Sequence, residues 1–309
     1  MTATLAPSPR AAPPPPPPGG RRPPMRRRQA LTAWLFLTPA VVFFPLMFFL
    51  PIGTQLNAAL FGGVTNAEFV GLGNITRALT DPDVLHSFAI TLGFAAGTLL
   101  IGIVLGLLLA LVLNQALPGR TLFRAIILIP YLTSISIIGL LWRNILDPQI
   151  GILNRLLDAV GLPGQAWLST HPLGTIIGIE VWATVGYTMV LFLAGLQGIP
   201  EVYTEAARID GAGPWRRFVH LTVPLLAPTT LFVSIIGVIG ALQQFALPYI
   251  VTGGGPGNAT SLYAHRVFRV AFNDNQFGYA SALSLLLLVV ILVLSVVQLK
   301  IGERTHDGA

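Results

Sequence analysis

Two groups of acidic and amide side chains stand out in this 309-residue chain, and each implies its own chemistry. Glu201, Glu205 and Asp210 stand within one short stretch, with Ala206 and Ala207 after the second glutamate, then Gly211 and, beyond a basic run, Pro224. Glutamates at i and i+4 share one face of a helix, a placement suited to contact with a partner. The other group lies inside apolar runs. Glu180 is the only acid set deep in one, and Tyr187, Gln243, Gln244 and Tyr249 add rings and amides there. Planar hydrogen-bonding groups beside aromatic faces are what a sugar pocket needs. The same groups also join membrane helices to one another. Both readings stand open at this point.

Other chemistries are excluded. With no cysteine there is no disulfide, thiolate metal site or thiol nucleophile. His86, His171 and His265 lack metal-ligand spacing. Gly253 to Gly257 is glycine-rich but lacks the Gly-Lys-Ser/Thr that would hold phosphates and magnesium, so it reads as a turn. No catalytic set, metal site or nucleotide site is expected, and the chain cannot hydrolyse ATP by itself.

The elements that position these residues are membrane helices. Only 10% of residues are charged, against about a quarter in soluble domains. Six runs reach the ~20 residues that a helix needs to cross the hydrocarbon core: 30–52, 87–113, 122–142, 173–196, 227–251 and 279–299. The segment 1–29, with its proline run and six arginines, reads as a disordered tail. Residues 30–300 form the membrane domain, with a cytoplasmic loop at 197–226, and 301–309 form a short tail. With the N-terminus inside, thirteen of the 18 basic residues are cytoplasmic. Without the tail the balance is seven to five, so the orientation rests on Arg26, Arg27 and Arg28 beside the first helix. Both termini then face the cytoplasm. The high isoelectric point follows from that bias and implies no nucleic acid.

The loop 197–226 reads as a helix over 201–210, an elbow at Gly211 in the left-handed conformation, and a second helix opened by Pro214. Pro224 and Pro228 return the chain to the membrane. An amphipathic hairpin resting on lipid is one reading. Its polar face would then be cationic, whereas Glu201, Glu205 and Asp210 offset the arginines here, which favours a protein partner.

Glu205, Ala206, Ala207, Gly211, Leu221, Val223 and Pro224 resemble the EAA motif of permease subunits of binding-protein-dependent ABC importers. Leu221 and Val223 are conservative departures. The stretches 193–218, 249–260, 71–74, 118–131 and 277–284 are similar to the first permease of carbohydrate systems of the maltose and glycerol-3-phosphate type. The resemblance implies an all-α, six-helix type I ABC importer permease. It implies ATPase coupling through Glu201, Glu205, Ala206, Ala207, Asp210, Gly211 and Pro224. The implied partners are a second homologous permease, a cytoplasmic ATPase dimer using ATP and magnesium, an extracytoplasmic solute-binding protein, and a sugar; the place is the bacterial plasma membrane. A secondary transporter or channel is the alternative, and glycerol-3-phosphate the alternative cargo.

Overall fold

The structure is a computed structural model, and it describes residues 27–62 and 68–306. All but the last three residues of the expected tail, 1–29, lie outside the described residues. Residues up to Ile52 form one unit and those from Gly53 another. The chain opens with α1 (Arg27–Phe44), a wide helical turn at Pro45–Phe49, and α2 (Leu50–Ala59). Pro45 has no N–H to bond back along the helix, and the ladder widens from that residue. Gln29–Ala59 thus forms one apolar helix of 31 residues.

A two-residue antiparallel pair, β1 (Phe61–Gly62) and β2 (Glu68–Phe69), leads to α3 (Gly73–Thr80). Buried Asn74 fixes this corner by donating its amide to the carbonyls of Ala59 (2.9 Å) and Phe61 (2.8 Å). Then come α4 (Pro82–Leu113), α5 (Arg120–Leu132) and α6 (Ile135–Ile145). Two short helices, α7 (Ile152–Ala159) and α8 (Trp167–Thr170), precede α9 (Pro172–Gln197). The loop after α9 holds α10 (Glu201–Ile209), α11 (Pro214–Arg217) and α12 (Val223–Leu225). After α13 (Ala227–Leu242) and α14 (Tyr263–Phe268) comes α15 (Phe277–His306).

Among the described residues four helices are long and apolar enough to cross a membrane, or up to six spans if each of two bent pairs counts as one. Two of the expected spans are interrupted along their length. The third expected span, 122–142, breaks into α5 and α6 at an angle of 95°. Thr133 and Ser134 are extended there, and Pro130 inside α5 has no N–H to bond backward. The fifth, 227–251, is straight only to Leu242 and resumes as a wide turn at Pro248–Thr252. The last helix runs beyond 299 to His306, so residues 301–306 belong to it and not to a separate tail.

The core lies where α4 crosses α9. Phe94, Ile176, Ile179 and Ala183 are buried together with Leu247 and Leu262. Toward the C-terminal ends of α4 and α9, Ala110, Met189, Phe192 and Leu226 form a second cluster. Small residues allow the approach: a side chain at Gly97 would press on Ile177, and one at Gly106 on Thr188. Lipid supplies no hydrophobic drive between helices, so close backbone packing carries the association.

The outer face is held by polar contacts. Tyr279 donates its hydroxyl to Asp81 (2.8 Å), Arg77 lies 4.0 Å over the Tyr279 ring, and Arg266 pairs with Asp83 at 3.1 Å. The glycine-rich turn is ordered: Gly253, Gly254 and Gly257 take positive φ, and the Thr252 and Thr260 hydroxyls meet at 2.6 Å. Gly254 lies against His265, which is 2% exposed and 3.3 Å from the Ser261 hydroxyl. Burial first, and then nearby Arg269, hold the His265 imidazole below its usual 6.5. The unfolded chain therefore binds the proton more readily. The stability this histidine contributes is complete above that value and is lost as pH falls through and below it. The thermal midpoint of the purified complex is expected to drop on acidification from pH about 7.5 to 5.5, and His265→Gln to flatten that drop.

Candidate functional site

Two sites emerge, one among the apolar helices and one at the loop between α9 and α13. The first is a cavity of about 220 Å³ among α4, α5, α9 and α13. One stripe of α9 supplies Glu180, Thr184, Tyr187 and Thr188, at the i, i+4, i+7, i+8 spacing of a helix face. Thr98 faces it from α4 and Tyr131 from α5, and Gly237 and Gly240 leave α13 open toward it. The Tyr131 and Tyr187 rings stack at 4.5 Å with 9° between their planes.

Gln244 links this cavity to the break in the fifth span. Its amide nitrogen donates to Glu180 Oε2 at 2.7 Å. Its carbonyl accepts the N–H groups of Ala246 (3.0 Å) and Leu247 (3.4 Å), which the helix break leaves without helical partners. A single side chain thus ties the α9 acid to the non-helical link after α13. Gln244→Leu strips three polar groups of their partner, at about 1–3 kcal/mol for each one left buried. A lower thermal midpoint of the purified complex is expected, with a smaller loss for Gln244→Asn.

Of the residues expected to meet substrate, Glu180 and Tyr187 line this cavity and Gln244 reaches it through Glu180. Gln243 and Tyr249 do not. Gln243 is exposed where α13 ends. Tyr249 is half exposed, stacks with Phe245 and meets Phe268 edge-on. Trp182, one more ring in the fourth span, points away and meets Trp142 edge-on at 5.5 Å. The reading of residue types missed Tyr131, Thr98, Thr184 and Thr188. The α9 threonines were legible as a stripe with Glu180. Tyr131 carried no such signal, since only the packing of α5 against α9 brings it there.

The second site is the elbow between α9 and α13. Glu201 opens α10, with Pro200 before it. At its end Gly211 has φ +74°. The Gly211 N–H reaches the Arg208 carbonyl (3.1 Å) and the Ala212 N–H the Ala207 carbonyl (2.9 Å), the pair of bonds that seals a helix through a left-handed residue. Asp210 is the last residue before that turn. Pro214 starts the next helix, whose register widens at Phe218–Thr222 before Val223 and Pro224 resume it. Trp215, Phe218, Val219 and Thr222 therefore do not lie on one regular helical stripe. The chain turns by 61° between Leu225 and Ala227, close to Pro224.

Glu201, Glu205 and Arg208 line a recess of about 570 Å³ with Asn114, Gln197 and Thr222. Beside it the elbow is apolar and open: Ile209 is 87% exposed, Trp215 75% and Val202 64%. Ala206 is exposed as well, and Ala207 half-buried.

Residues 102–306 match the family model described as binding-protein-dependent transport system inner membrane component. The chain is 35% identical over 277 residues to a probable ABC transporter permease protein, YurN, of Bacillus subtilis, covering 86% of this chain and 94% of that one. It is 34% identical over 285 residues to the trehalose/maltose transport system permease protein MalF of Thermococcus litoralis (90% and 96% covered). It is 32% identical over 275 residues to the sn-glycerol-3-phosphate transport system permease protein UgpA of Brucella abortus (87% and 93%). Its fold is that of a chain in the crystal structure of a bacterial alginate ABC transporter in complex with an alginate pentasaccharide-bound periplasmic protein. There the TM-score is 0.78 at 21% identity, over 90% of this chain and 96% of that one. With its bent spans, its elbow between α9 and α13, and relatives matched over nearly their whole length, the chain belongs to the family of inner membrane components of binding-protein-dependent transport systems, as an ABC importer permease of the type I fold.

Proposed function

We propose that this chain forms half of the translocation pathway of an ATP-driven sugar importer in the bacterial plasma membrane, with both termini cytoplasmic. A second, homologous permease completes the pathway and a solute-binding protein delivers sugar from outside. A cytoplasmic ATPase dimer, which binds the ATP and magnesium, seats the elbow. The relatives' names support a sugar or sugar derivative as cargo.

The observation that carries this reading is the elbow itself. It is a defined turn that presents Val202, Ile209 and Trp215 to the outside of the molecule while Glu201 and Glu205 face a polar recess. Exposed apolar side chains rimmed by charge mark a protein interface. In this reading Glu205 pairs with a basic group of the ATPase, and Gly211 holds the angle between α10 and α11. The α9 helix carries Glu180 and Tyr187 of the cavity and leads into Glu201, about 30 Å further along at helical rise. A shift of the elbow therefore reaches the cavity wall through one rigid element. Only contacts that differ between two states can move such an equilibrium.

Purification from native membranes tests the proposal. The ATPase is expected to copurify with the wild-type chain and to be lost from Glu205→Arg, with the permease still inserted. Solute movement in vesicles containing this chain alone would instead establish a transporter that needs no ATPase.

A further inference from the structure

We propose, on the reading of the cavity as the sugar's path, that it admits an uncharged polyhydroxy cargo and turns away phosphorylated or carboxylated sugars. The hydrogen-bonding side chains on its wall are Thr98, Thr184, Thr188, Tyr131, Tyr187 and Glu180. Among the described residues that line it there is no lysine, arginine or histidine. Glu180 brings no positive charge in either protonation state. An anion entering this space sheds water and meets no countercharge, a cost that only a paired cation offsets. An ionised Glu180 adds repulsion to that cost.

A neutral sugar meets the opposite balance. Threonine and tyrosine hydroxyls both donate and accept, and a carboxylate accepts from a sugar hydroxyl. Gln244 occupies Glu180 Oε2, which leaves Oε1 for the cargo. The stacked Tyr131 and Tyr187 add an aromatic wall.

Three arginines lie outside the cavity lining and are held by other contacts of the fold. Arg266 pairs with Asp83 at 3.1 Å, and Arg269 donates to Asn258 at 3.1 Å. Arg77 donates to Gln276 at 2.9 Å and covers the Tyr279 ring. The relatives' names span a neutral disaccharide system and a phosphate-bearing one. The charge in this cavity places the half of the pathway that this chain forms with the neutral kind.

Because the chain has no cysteine, one introduced thiol reports the cavity's charge without knowledge of the cargo. Thr184→Cys is placed in the assembled importer in membrane vesicles at pH about 8.5, where thiolate is plentiful. It is labelled with three methanethiosulfonates: trimethylammonioethyl, sulfonatoethyl and uncharged methyl. Labelling of this chain is followed by mass spectrometry, and rates are corrected by those with a free small thiol. The corrected cationic rate is expected to exceed the anionic rate by about fivefold or more, and Glu180→Gln to bring the ratio toward one.

A ratio of one or below with Glu180 present overturns the proposal. The pathway reading fails separately, and takes the proposal with it, if the uncharged reagent never reaches Cys at 184 or if its attachment leaves ATP turnover unchanged. If that reagent blocks turnover while both charged reagents react alike, the pathway stands and only charge selection falls. Thr188→Cys repeats the measurement should Thr184→Cys fail to assemble.

Discussion

Gly211→Val is expected to lower ATP hydrolysis by the assembled importer about tenfold or more while the chain still inserts in the membrane, because a left-handed backbone costs a side-chain-bearing residue about 1–2 kcal/mol and a β-branched one the most. Gly211 holds φ +74°, and nothing lies within 4 Å of where its Cβ would stand. The effect is therefore conformational and not a collision. To relieve it the chain must leave the left-handed region, and the bonds from Gly211 to Arg208 and from Ala212 to Ala207 go with it. The elbow then loses the angle at which α10 and α11 meet a partner. Gly211→Asn, which tolerates this conformation, is expected to retain most of the activity. Gly213→Ala is expected to be silent, since Gly213 has φ −65° and open space around it. Hydrolysis rates of the three complexes, normalised to membrane content, check the series. Full activity in the valine variant would remove the elbow from the coupling path.

The second large effect concerns the crossing of α5 and α9. A methyl group at Gly186 would collide with the carbonyl oxygen of Ile127 and come within 2.9 Å of the Leu128 Cα. These are backbone atoms, so no rotamer change relieves the contact and the helices must separate. Overpacking costs about 1–3 kcal/mol in general, more where the backbone is the obstacle. Gly186→Ala is expected to lower the thermal midpoint of the purified complex by about 5 °C or more, and Gly186→Val to remove the chain from the membrane. Gly178→Ala on the same helix is the control, because nothing lies within 4 Å of its Cβ position. It should behave as wild type. Tyr187 adjoins Gly186, so helix separation also parts the Tyr131–Tyr187 stack that forms one wall of the cavity.

Much was legible along the chain because the signal was local. Hydropathy located the spans, and the order Pro200, Glu201, Gly211, Pro214 spelled out an elbow whose turn the backbone adopts as written. The Gly71–Asn74 stretch entered as a resemblance; the fold gives it a cause, since Asn74 bonds two carbonyls across the corner before β1. Gln243 and Gln244 are chemically alike and adjacent, yet only the second reaches Glu180. Nothing in their types could separate them. The helix stops at Leu242, and the geometry of the break turns one amide inward and leaves its neighbour exposed.

The sequence by itself determined that this is a membrane-spanning helical chain with a polar, glycine-hinged elbow on one side. Apolar run length and the φ that glycine alone adopts freely are properties of neighbouring residues. The 95° break after α5, the meeting of Tyr131 with Tyr187, and the joining of Glu180 to Gln244 across 64 positions belong to the tertiary structure alone. Hydropathy reads the same for a straight span and a bent one. Which side chains share a cavity depends on where helices bend and cross, and that is settled by packing among residues far apart in the chain.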